Sequence, residues 1–193
     1  MLRGWQEDSN MTKKIKKLDF CYENILVKVI AHSDYPKIKL AGLSVGPFKE
    51  GDEYEVHYWV AQELVNSNIV RFSNEDLDST KLYKIQWKER VQIAGQISKL
   101  PEDFYPKLRR YLAKSKDELA LHPEKVREYE KSQHLALDIV NSRLKKIISL
   151  SSGPNQTDFI LKKFTNEERF FYLELGRIIN NWKEQILNLE DVN

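Results

Sequence analysis

Side chains able to do chemistry are few in this chain and do not converge. The four histidines, His32, His57, His122 and His134, stand far apart and in no metal-ligand spacing. Cys21 is the single cysteine, which rules out an internal disulfide and a cysteine-rich zinc site. It also lacks the basic or helix-capping surroundings that would activate a thiolate nucleophile. Glu102 and Asp103 are neighbours, so on a helix their carboxylates point apart and make no acid–base dyad. The seven glycines form neither a phosphate-cradling loop nor a serine nucleophile elbow. What remains is basic: Arg109-Arg110, and Arg143 with Lys145-Lys146. Most such clusters are solvated faces. Arg143 differs because it lies beside an apolar stripe, where a guanidinium can make fixed hydrogen bonds to carbonyls or carboxylates. No catalytic, cofactor or metal residues are assigned, and an enzyme is not expected.

Composition sets the same limits. The 193 residues are 41% hydrophobic and 31% charged, as in a folded globular chain. The net charge of +2 gives no global field for wrapping DNA. No apolar run approaches the roughly 20 residues that span a bilayer, so no membrane contact is expected. A reducing interior fits a lone cysteine, which places the chain in the cytoplasm, nucleoid-associated, or in a nucleus.

Three segments would position these residues: a basic flexible leader over 1–18, a small β-rich domain over 19–73, and an α-helical domain over 74–193. Lys13, Lys14, Lys16 and Lys17 charge the leader, and Met1 and Met11 both read as initiators. Ile25–Ile30, Ile38–Leu40, Tyr54–Tyr58 and Ile69–Phe72 read as strands, with a short helix over Trp59–Val65. After Phe72 the period becomes helical. Ser73–Asp76 is expected to cap a helix running to about Ile97, and Pro101–Asp103 to start a second. His122-Pro123-Glu124 starts a long third, with an apolar stripe of Val126, Tyr129, Leu137, Val140, Leu144 and Ile147. Ser151–Asn155 should close it as a loop. Thr165-Asn166-Glu167-Glu168 is a capping box for a last helix with Phe171, Leu175, Ile178, Trp182 and Ile186 in one stripe. The fold class is therefore α+β, a small N-terminal β-rich domain followed by a C-terminal helical bundle.

Several stretches, taken in order, resemble subunits of the GINS complex, the four-part scaffold of the replicative helicase. They are Gly46-Pro47-Phe48-Lys49-Glu50-Gly51, Tyr58–Leu64 (YWVAQEL), Leu82–Arg90 (LYKIQWKER) and Leu100–Tyr105 (LPEDFY). Ser142–Ile147 and the Thr165–Glu168 helix start complete the pattern. The likeness is to the archaeal type that stands for the second and third partner subunits, with the β domain first. It implies a scaffold without catalytic residues or cofactors, assembled with a sister GINS subunit. It further implies contact with the MCM helicase and a RecJ-type exonuclease homologue, and links to primase or polymerase. DNA contact would be weak or indirect. Candidate interface residues are Trp59, Phe104, Tyr105, Arg109, Arg143, Phe171, Leu175 and Trp182. The competing reading is a free-standing nucleic-acid-binding regulatory protein, in which the β-rich domain or lysine leader touches DNA. Removing Met1–Leu18 is expected to leave the fold intact, read as an unchanged cooperative thermal transition.

Overall fold

The computed structural model describes residues 4–40, 42–73, 77–92, 96–153 and 158–187, with side chains from residue 11 onward. Its contacts divide it into two units, Met1–Asp76 and Leu77–Asn193.

The first unit opens with a helix, α1 (Gly4–Glu23), where a flexible leader was expected. The segment contains no proline, and its glycine stands at the start, so nothing in it breaks a helix. The helix stops where Asn24 Nδ2 donates to the Phe20 carbonyl at 2.8 Å. Tyr22 anchors it, buried with its ring 4.8 Å from that of Tyr58. Phe20 and Cys21, read as the edge of the β-rich segment, are therefore helical.

Strands β1 (Leu26–Ala31), β4 (Glu53–His57) and β5 (Val70–Phe72) form an antiparallel sheet in the order β4-β1-β5. Val29 sits opposite Tyr54 on one side and Phe72 on the other. Two further strands, β2 (Ile38–Leu40) and β3 (Leu43–Val45), make a hairpin. β3 is short and lies between two glycines, which is why it reads as a link in sequence. Tyr54 and Val56 face inward, but Tyr58 is the first residue of α2 (Tyr58–Asn66) rather than the end of the strand. Val60, Ala61 and Leu64 of α2 pack on Val29, Val56 and Val70. Phe48 closes this core, edge-on to Tyr54 at 4.9 Å. Gly46 makes room for it: at φ +81°, an added Cβ would lie 3.1 Å from the Phe48 ring.

The second unit contains α3 (Ser79–Val91), α4 (Phe104–Glu118), a 3-10 turn (Pro123–Lys125), α5 (Val126–Ser151), a short α6 (Asp158–Leu161) and α7 (Asn166–Leu187). The cap of α3 is Asp78, whose Oδ1 accepts from the Lys81 N–H at 2.7 Å. Residues 74–76 of the expected cap and 154–155 of the expected loop lie outside the described residues. α3 ends at Val91 instead of Ile97 because Gln92 is extended, at φ −72° and ψ 138°. Two apolar cores result. Leu82, Leu100, Phe104, Leu108, Leu135, Ala136 and Ile139 form one, and Ile97, Ile147, Phe164 and Tyr172 the other.

Phe48→Ala should lower the stability of the first unit by about 3–5 kcal/mol, as for a large ring removed from a closed core. Hydrogen exchange resolved by peptide checks it, with protection lost across β1, β4 and α2.

A buried ionic cluster and the candidate interface faces

The helical unit is organised around Arg143, whose side chain has 0% exposure in the middle of α5. A guanidinium withdrawn from water loses several kcal/mol of hydration, so its donors need partners on all sides. Nε and one terminal nitrogen form a fork on Glu168 of α7, the latter at 2.7 Å. The other terminal nitrogen donates to Glu89 Oε1 of α3 at 2.8 Å and to the Ser98 carbonyl at 2.9 Å. Four of the five N–H groups are thereby used.

The surrounding residues neutralise the charge. Lys146 Nζ reaches Glu89 Oε2 at 2.7 Å and the Glu89 carbonyl at 2.8 Å, and the Ser98 hydroxyl also donates to Glu89. Tyr105 of α4 donates its phenol to Glu168 Oε1 at 2.8 Å. Glu168 additionally belongs to the capping box that the sequence predicts. Its N–H donates to Thr165 Oγ1 at 3.3 Å, and its carboxylate accepts from the Thr165 N–H at 3.2 Å. Two cations thus face two carboxylates, and the cluster ties together α3, α4, α5, α7 and the segment around Ser98. Burial alone would raise the Glu89 carboxyl pKa. Hydrogen bonds from Lys146 and Ser98, with the charges of Arg143 and Lys146, outweigh it and hold the group below the usual carboxylate range. Burial, then the charge and hydrogen bond of Glu168, push the Tyr105 phenol well up, so it remains a donor.

This arrangement decides which face of each helix points inward. On α5 the buried residues are Ser132, Leu135, Ala136, Ile139, Arg143, Ile147 and Ser151. Of the stripe expected from periodicity, only Ile147 is buried. Val126, Leu137, Val140 and Leu144 are exposed, as is Ile148. The helix is apolar on two faces, and the inward one is the face that carries Arg143. The Tyr111 hydroxyl and Ser132 Oγ, 2.9 Å apart, satisfy another polar contact on it. On α7 the buried residues are Glu168, Tyr172 and Gly176. Phe171 and Leu175 are half-buried against the second core. Ile178, Trp182 and Ile186 stand out in solvent, Trp182 with 61% exposure.

The eight candidate interface residues therefore separate. Phe104 and Arg143 are interior and cannot meet a partner in this fold. Tyr105 is half-buried on Glu168, and Arg109 half-buried near Glu167 at 3.4 Å. Trp59 belongs to the other unit, on α2 with 42% exposure. Trp182 is the most open of the eight. The exposed row Leu137, Val140, Leu144 and Ile148 was missed as a surface, although its spacing was visible, because periodicity does not say which apolar face is inside. Two of the histidines make local contacts: His57 Nδ1 donates to the Asn24 carbonyl at 2.9 Å, and His122 Nδ1 to Glu124 at 3.1 Å. Among the described residues no helix is long and apolar enough to cross a membrane.

The chain thus carries a small antiparallel sheet unit followed in sequence by a helical unit with exposed apolar rows. Two family models match it: the GINS complex protein helical bundle domain over residues 61–187, and the PSF2 N-terminal domain over residues 14–71. The first spans more than half of the chain, and the chain belongs to the GINS family, with the β-rich domain before the helical one. It is a subunit of a complex with other GINS subunits in DNA replication. No curated protein matches the chain.

Arg143→Met should cost the helical unit about 3–5 kcal/mol, because buried Glu168 loses its cation and buried Glu89 one of its two. Replacing Arg143, Glu89 and Glu168 together by apolar residues should cost much less. The pH dependence follows from Glu89: its folded pKa lies below the ordinary 4.5, so the unfolded chain takes up protons first. Its contribution is present above that value and is lost as pH falls through the lower folded value. Arg143, whose burial is outweighed by hydrogen bonds and charge pairing with Glu168 and Glu89 that raise it further, stays charged throughout. Urea midpoints measured from neutral to acid pH should decline on the acid side, and less steeply in Glu89→Gln.

Proposed function

We propose that this chain is a non-catalytic scaffold subunit of the archaeal type that combines the second and third partner positions, and that its complex supports the MCM replicative helicase. One observation carries the reading: the helical unit leaves Ile178, Trp182 and Ile186 of α7 in solvent at one-turn spacing. A tryptophan in such a row costs solvation while free and gains most when covered, as interface anchors do. The occupant is the helical unit of a sister GINS subunit, whose own apolar helix face would interlock with a row of this period. The row Leu137, Val140, Leu144 and Ile148 on α5 is a second face of the same kind.

The β-rich domain over 19–73 and the helical domain over 74–193 then divide the work. The helical domain assembles the complex. The β-rich domain, with Trp59 outward on α2, is free for the helicase, a RecJ-type exonuclease homologue, and primase or polymerase. Scaffolding operates by linkage: binding energy spread over several contacts favours the active helicase state, with no bond made or broken by this chain. Its place of action is the nucleoid, or the nucleus in a eukaryote.

Trp182→Ala and Ile178→Asp test this after co-expression with a sister subunit. Each should weaken assembly by about 2 kcal/mol or more, seen as dissociation in light-scattering chromatography, with the chain's own thermal transition unchanged. Assembly at wild-type strength in both variants would remove the reading.

A further inference from the structure

We propose that the outer face of α3 binds single-stranded nucleic acid, with bases stacking on Tyr83 and Trp87 and phosphates held by Lys84, Lys88 and Arg90. This goes beyond the scaffold reading, in which DNA contact is weak or indirect, and does not depend on it.

α3 buries Leu82, Gln86 and Glu89 and turns the remaining side outward. On that side Tyr83 and Trp87 are 55% and 59% exposed, one turn or about 6 Å apart along the axis. Val91 continues the row. Lys84 and Lys88 run beside it at the same spacing, with Arg90 near the end, all exposed. Among the described residues these three cations make no ion pair. The only acid in the helix is Glu89, and it is turned inward onto Arg143 and Lys146. From the packed helix α5, Asp138 accepts from Gln86 at 3.2 Å. The outward face therefore carries cations and rings, with Thr80 and Val91 at its two ends and no acid.

Ordinary helix chemistry explains part of this. Lys88 and Arg90 in the last turn complement the helix dipole. That does not account for Lys84 in mid-helix, nor for two large rings left in water between the cations. Alternating rings and cations suit a single strand, because every base offers a π-face and every nucleotide a phosphate. An acidic protein helix would need the cations but gains little from isolated rings with one aliphatic neighbour. The aliphatic rows on α5 and α7 fit such a partner better.

The test uses the full chain and a fluorescein-labelled oligothymidylate of about 16 nucleotides, read by anisotropy. Binding at low salt should quench tryptophan fluorescence and exceed binding to a duplex of the same length. Trp87→Ala should weaken it at least about fivefold, the loss expected for one stacked base. Lys84→Gln with Lys88→Gln should lower the slope of log affinity against log salt by about 1.4, for two phosphates on a single strand. These positions are on the surface, so the thermal transition should hold; if Trp87→Ala unfolds, the lysine pair still decides. No binding at low salt, equal affinity for duplex, or an unchanged salt slope in the lysine variant would each overturn the proposal. So would variants that bind the oligonucleotide normally but lose their sister subunit, which would mark the face as protein-directed.

Discussion

The fork between Arg143 and Glu168, completed by Glu89 and the Ser98 carbonyl, is the constraint on which the helical unit depends. A charge with no solvent exposure is tolerated only where opposite charge and hydrogen bonds surround it. Meeting that condition fixes positions on α3, α5 and α7 at once, and Tyr105 brings α4 to the same carboxylate. The Glu168 carboxylate also closes the capping box of α7, so the start of that helix and its docking on α5 are a single event. A lysine at 143 would keep the charge but lose the planar fork that serves two carboxylates and a carbonyl together.

The same bonds determine the surface. With Glu89 drawn inward, α3 shows cations, two rings and no acid to solvent. With Arg143 inward, the Leu137–Ile148 row of α5 is left outside. From Asn180 to Leu187 every residue of α7 is exposed, so Trp182 and Ile186 stand on a stretch of helix that rests on little of its own unit. Apolar rows of this kind are uncommon on a chain that works alone. Their presence accords with membership in a family defined by a complex.

Much of the fold was legible in the sequence. β-branched runs gave β1 and β5, glycine and proline marked the turns, and Thr165–Glu168 announced its helix with the bonds later found. The leader was misread because lysine density suggested solvation, whereas a helix needs only the absence of breakers and an anchor. Tyr22, its ring tilted against that of Tyr58, provides that anchor from beyond the leader's end. The helical stripes were harder. Periodicity on α5 identifies an apolar face but α5 has two, and the inward one contains an arginine and two serines. On α7 the apolar period continues unbroken from Phe171 to Ile186 while burial stops near Ile179, because nothing local records where the unit's other helices end. Arg143 was singled out for its position beside apolar residues, which was the right signal; its partners, 25 and 54 residues away, had none.

An ionic core in a subunit with spare apolar faces has a physical logic. Leu135, Ile139 and Ile147 of α5 differ little in apolar character from Leu137, Val140 and Leu144, so hydrophobic burial alone would scarcely distinguish the two faces. Rotating α5 to bury the second row would move Arg143 away from Glu89 and Glu168, leaving buried carboxylates without a cation. That loss of several kcal/mol is comparable to the whole stability of a small domain. The correct face goes inward because it alone completes the charge cluster, and the other row stays available to a partner. Polar specificity inside thereby preserves apolar complementarity outside.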